Sequence, residues 1–175
     1  MSEPIKIFFR FVLFILVQAL VLNHMKPLHQ FITPYLYFLF ILWMPFKTGR
    51  LSLLFISFLF GLSLDLFLQT PGLHAAPCLL IAYLRPFIIN MLVPRETKEL
   101  SLGSPSRITM GVAPYILYVV VLTFMHHLYL VFLEWMYFGN ILYFFGKVFF
   151  TTLVSLVLIL ITELLFAKRG RRING

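Results

Sequence analysis

The sequence predicts an all-α membrane protein, a compact bundle of six transmembrane helices, and three observations carry that prediction. Hydrophobic residues make up 61% of the 175 residues and charged residues only 11%, whereas soluble domains run near a quarter charged. A chain of this composition has too little polar surface to face water, so lipid is its solvent. Six apolar stretches are each long enough to cross about 30 Å of hydrocarbon. Drawn as spans, they gather the basic residues on one side. At this length the chain is read as a single transmembrane domain, residues 1–175.

The first window, residues 5–23, carries Lys6 and Arg10 ahead of its apolar run and Asn23-His24-Met25 behind it. No small-x-small cleavage site follows, so it reads as a retained signal anchor. The break His24-Met25-Lys26-Pro27 leads to the second window, residues 28–46, the weakest because Pro34 and Pro45 shorten its regular core. Phe46-Lys47-Thr48-Gly49-Arg50 opens the third, residues 51–70, and Thr70-Pro71-Gly72 supplies turn chemistry before the fourth, residues 73–93. Inside the fourth, Pro86 frees a carbonyl near Ala82 and is expected to kink the helix. The polar stretch Pro94 to Arg107, with Arg95, Glu96, Lys98 and Glu99, is the only sizeable loop expected. The fifth and sixth windows, residues 111–136 and 141–166, form an antiparallel hairpin about Gly139-Asn140.

Six spans put both termini on one side. With that side cytoplasmic, Lys6, Arg10, Lys47, Arg50, Arg95, Lys98, Arg107, Lys168, Arg169, Arg171 and Arg172 lie inside and only Lys26 outside. This asymmetry follows the positive-inside rule and points to a multi-pass inner-membrane protein. The net charge of +8 sits in short loops and tails, where retention and anionic lipid headgroups account for it. Membrane lipids are therefore expected as partners and nucleic acid is not. Trp43, Trp135 and Tyr137 near span ends suit an interfacial aromatic belt.

Asp65, Arg85, Glu134, Lys147 and Glu163 are ionisable residues within or at the ends of spans, each costly in hydrocarbon unless paired. Counting about 1.5 Å per residue from the turns puts Asp65, Glu134 and Lys147 at one level, roughly 8–11 Å below the outer helix ends. Glu134 and Lys147 are expected to face each other across the hairpin, and Lys147 to reach Asp65 if the third helix packs alongside. A second level, nearer the midplane, holds Arg85 and the pair His126-His127. The Arg85 guanidinium has three expected fates: the carbonyl freed by Pro86, the interface by snorkelling, or a histidine of the fifth helix. Glu163 is expected to pair with Lys168 or Arg169. The leading reading of these residues is helix packing, with a proton or ligand pathway as the rival.

The sequence carries no Gly-x-Ser-x-Gly, HExxH or phosphate-binding glycine loop, so neither an enzyme nor a cofactor or metal site is expected. Adjacent histidines on a helix diverge by about 100°, which disfavours a shared metal at His126-His127. Ser57, Ser63 and Ser155 are expected to bond the carbonyl four residues back. The single cysteine, Cys78, excludes an internal disulfide and is expected to be buried.

Gly61-x-x-x-Asp65, Thr70-Pro71-Gly72-Leu73-His74-Ala75 and Tyr83-Leu84-Arg85-Pro86 together resemble the signature of the MreD family of rod shape-determining membrane proteins. The resemblance extends over nearly the whole chain through its length, six expected spans and basic tail. It implies a non-enzymatic component of the cell-elongation machinery that builds peptidoglycan, acting with MreC and the MreB cytoskeleton beside RodA and a penicillin-binding transpeptidase. It also implies a compact fold similar to the substrate-binding subunits of energy-coupling-factor transporters. On this reading Gly61, Pro71 and Gly72 form a hairpin turn, and Asp65, His74, Arg85, His126, Glu134 and Lys147 form a polar layer that holds the bundle together or receives a partner helix. The alternative is a vitamin-binding subunit of a transporter, with the polar layer as its pocket.

Overall fold

The computed structural model describes residues 3–23, 33–94, 103–138 and 140–170, and among these the only regular structure is helical. Helix α1 (Glu3–Leu16) widens into a π-helical turn, Val17–Leu22, and the short α2 covers Leu39–Leu42. Helices α3 (Arg50–Leu68) and α4 (Ala75–Leu92) form a hairpin. The four-residue α5 (Arg107–Met110) precedes the long hairpin of α6 (Val112–Phe138) and α7 (Ile141–Gly170). Five helical stretches are long and apolar enough to cross a membrane: Pro4–Leu22, Arg50–Leu68, Ala75–Leu92, Val112–Met136 and Ile141–Leu165. They match the first, third, fourth, fifth and sixth windows expected from sequence. The chain is thus a helical membrane protein.

The second window differs. Its first residues lie outside the described part, but residues 33–46 do not form a spanning helix: only Leu39–Leu42 is helical. Pro34 lacks an N–H and disfavours helix at Thr33, and Pro45 stops regular structure at the other end. The ten residues between them would make a helix of only about 15 Å.

The segment instead threads the middle of the bundle. Tyr37, Phe38, Leu39, Ile41 and Leu42 have no exposed surface at all. Its side chains meet α6 in reverse order: Tyr35 packs on His127, Tyr37 on His126, Tyr118 bonds at Leu42 and Tyr115 at Trp43. Residues 115–127 of a helix span about 18 Å, so the segment crosses more than half of a hydrocarbon layer as irregular chain. Helix α1 flanks it in the opposite sense, with Gln18 beside Leu36 and the Phe11 and Phe14 rings against Phe40 and Trp43.

Irregular backbone at membrane depth is tolerated only inside protein, where each polar group finds a partner. Tight turns meet part of the need, with Leu39 N–H donating to Leu36 C=O at 3.1 Å and Ile41 N–H to Phe38 C=O at 2.9 Å. Side chains supply the rest. The Gln18 amide, fully buried in the π-helical turn, accepts from Leu36 N–H at 3.0 Å and donates to Pro34 C=O at 3.1 Å. Tyr118 Oη–H donates to Leu42 C=O at 2.9 Å, and Arg85 donates to Met44 C=O. Phe46 N–H closes the segment on Gly103 C=O at 3.2 Å.

Replacing Gln18 with Leu keeps the volume but leaves Leu36 N–H and Pro34 C=O buried without partners, at about 1–3 kcal/mol each. Thermal unfolding of the detergent-purified variant is expected to occur several degrees below wild type. An unchanged midpoint would contradict the threading role of Gln18.

Candidate functional site

Two of the three motifs behind the resemblance, Gly61-x-x-x-Asp65 and Thr70 to Ala75, converge at the α3–α4 turn. Helix α3 ends with Gln69 in the left-handed region at φ 56°. Thr70-Pro71-Gly72-Leu73 follows as a reverse turn closed by Leu73 N–H on Thr70 C=O at 3.1 Å. Proline fixes the second position and Gly72, at φ 83°, takes a third-position angle that side-chain-bearing residues disfavour. The chain is thereby reversed so that α4 starts directly above the last turn of α3.

Asp65 holds that reversal. Its Oδ1 accepts from His74 N–H at 2.9 Å, the His74 Nδ1–H at 2.8 Å and the Thr70 hydroxyl at 3.0 Å. Its Oδ2 accepts from Ala75 N–H at 2.9 Å and Gly72 N–H at 3.1 Å. The carboxylate, 2% exposed, caps the N-terminus of α4, where the first helical N–H groups carry partial positive charge. Gly61, one helical turn before Asp65, lies under Ala75. A Cβ there would stand 2.5 Å from Ala75 Cα and 2.8 Å from His74 O, so the missing side chain is what lets the start of α4 come down onto the carboxylate.

This corrects one expectation. Lys147 does not pair with Asp65, because backbone amides and His74 already occupy both carboxylate oxygens. The rings of Tyr35 and Tyr37 stand between His74 and the His126-His127 pair. Lys147 does pair with Glu134 across the α6–α7 hairpin as expected, with Nζ 2.5 Å from Oε2.

Arg85 meets none of its three expected fates. It is 2% exposed, its Nε–H donates to Tyr118 Oη at 3.0 Å and its second amine donates to Met44 C=O. Tyr118 in turn bonds Leu42 C=O, so arginine and tyrosine together clamp the end of the threaded segment. Glu163 accepts from Arg107, at 3.1 Å, and from Tyr115; its expected partners Lys168 and Arg169 have side chains outside the described part. The carboxylate faces α6 and the short α5 that leads into it. Tyr115 also accepts from Trp43 Nε1–H at 3.1 Å, so Trp43 packs inward rather than joining an interfacial belt.

His126 and His127 are fully buried. His126 Nε2 lies 2.8 Å from Tyr37 Oη and its ring stacks on Phe38 with centroids 4.5 Å apart. The two Nδ1 atoms approach to 3.3 Å. Among the described residues, no three His, Cys, Asp or Glu side chains are placed to hold a metal. Cys78 is buried as expected. Ser63 Oγ–H donates to Leu59 C=O at 2.7 Å as expected, whereas Ser57 and Ser155 make no hydrogen bond among the described residues and depart from that pattern.

Sequence reasoning missed Gln18, Tyr37 and Tyr118, and read Thr70 as a turn residue without its bond to Asp65. A usable signal existed for Gln18, the one amide side chain within Pro4–Leu22, because such a group needs a partner in lipid. The tyrosines carried no such signal, since the hydroxyl's partner is set by the threaded segment.

Asp65→Leu orphans the turn donors and is expected to destabilise by about 3–5 kcal/mol, as for removal of one partner of a buried charge pair. Gly61→Ala, which forces two backbones apart, is expected to cost about 1–3 kcal/mol. Both are read as lowered thermal midpoints, with Asp65→Leu the larger. A reversed order would contradict the capping account. Comparison with protein-family models, with curated proteins and with solved structures finds no match to this chain.

Proposed function

We propose that this chain is a non-enzymatic scaffold or regulator of the cell-elongation complex in a bacterial inner membrane, the role its resemblance to MreD implies. MreC is the direct partner on this reading, with MreB, RodA and a penicillin-binding transpeptidase in the same assembly. The observation that carries the proposal is that Gly61, Asp65, Thr70, Gly72, His74 and Ala75 are engaged with one another in a single turn. Asp65 accepts five hydrogen bonds from that turn. Residues used up in this way build a shape and leave no free group for chemistry.

Recognition then falls to the helix faces. The charged groups Asp65 and Arg85 are already engaged inside the bundle, so a partner's transmembrane helix docks on an outer apolar surface. The exposed Phe8, Phe9, Leu13 and Leu20 of the first helical stretch make one such face. Both termini are cytoplasmic on this reading: five helices and the threaded segment make six passes. Arg50 and Arg107 then lie at the end where positive residues are retained.

Two measurements test the proposal in the native host. Depletion of the protein is expected to round rod-shaped cells, and the tagged chain is expected to retain MreC through purification in mild detergent. Unchanged cell shape together with no MreC would overturn it, and a vitamin carried through purification would favour the transporter-subunit alternative.

A further inference from the structure

A cavity of about 370 Å³ opens where the threaded segment ends and α3 begins, bounded on the far side by the second half of α4. Its walls carry three cations, Lys47, Arg50 and Arg85, together with Thr48, Asn90 and Phe46. That volume is within the range of about 300–1,000 Å³ typical of small-ligand sites.

The charge balance of this cavity is unusual. Asp65 is committed to the outer turn, Glu134 to Lys147 and Glu163 to Arg107. Among the described residues no carboxylate therefore pairs with the cavity's cations. Arg85 is almost fully buried and its partners are a neutral phenol and a neutral carbonyl. Arg50 lies over the Phe87 ring at 5.4 Å. A buried cation without a counter-charge is costly, and Arg85, with the exposed Lys47 and Arg50 on the same cavity walls, attracts an anion.

We propose that this cavity binds the phosphate of an anionic phospholipid. Phosphate suits the donor set: arginine presents a planar fork of N–H groups, lysine a compact charge, and Thr48 a hydroxyl. The surroundings select a lipid over a free ion. Leu51, Phe87 and Met91, which follow or lie close in helix register to cavity residues, are exposed to 83%, 47% and 80%, an apolar rim on which acyl chains lie while the headgroup enters. The site is at the end of two membrane-spanning helices, the depth at which headgroups sit. The inference is independent of the elongation-complex reading.

The test uses the full chain in detergent micelles, with phosphatidylglycerol, phosphatidylcholine or inorganic phosphate added in turn. Native mass spectrometry counts retained lipid, and thermal unfolding reads stabilisation. Wild type is expected to retain phosphatidylglycerol at least tenfold over phosphatidylcholine and to unfold several degrees higher with it. Inorganic phosphate at the same concentration is expected to have no effect. The double variant K47Q/R50Q alters two exposed residues and gives up, among the described contacts, the Arg50–Phe87 stacking at the surface; it is expected to fold yet lose the preference to within twofold. R171Q/R172Q, which removes the same charge from the tail, is expected to keep it. No preference in wild type, an unchanged preference in K47Q/R50Q, or an equal loss in the tail variant would each overturn the site. Equal protection by inorganic phosphate would overturn the lipid assignment.

Discussion

Hydrocarbon offers no hydrogen bonds, and this constraint organises the whole molecule. One segment, residues 33–46, crosses much of the bundle without a regular helix, so its amides and carbonyls must be met by other means. Gln18 reaches from the first helical stretch, Arg85 from α4 and Tyr118 from α6. Three separate elements thus converge on one irregular strand of chain. The bundle is wrapped around that segment, and the packing of α1, α4 and α6 follows from having to cover it.

The same constraint explains the α3–α4 turn. A tight reversal exposes the first N–H groups of the following helix, and near the membrane these cannot rely on water. Asp65 gathers the N–H groups of Gly72, His74 and Ala75 on one carboxylate. The charge that looked expensive from sequence is offset by partial positive charges that also needed a partner. Gly61 makes the approach possible by having nothing to displace. Arg85 follows similar logic with opposite sign, its charge directed at a carbonyl and a phenol. Charged side chains inside the bundle thus serve the backbone as much as each other.

The apolar helix faces and the basic cavity at the far end of the α3–α4 hairpin are open to interactions. In the interior, Tyr37 meets His74 and His126 edge to face, and Phe38 stacks face to face on His126. Such a core holds a shape and presents it, which agrees with a scaffold that works by docking.

What the sequence alone determined was whatever depends on local composition and turn chemistry. Lipid solvation, five of the six windows, the Thr70-Pro71-Gly72 reversal, the burial of Cys78 and the Glu134–Lys147 pair could all be read from it. The last was legible because two helices joined by a short turn have a register that can be counted along the chain. Tertiary structure alone decided that residues 33–46 thread the bundle, since apolar composition is equally compatible with a helix and with a buried irregular segment. It also decided the partners of Asp65, Arg85 and Glu163. Those choices depend on which backbone groups are left unpaired once the helices pack, a quantity no local window contains.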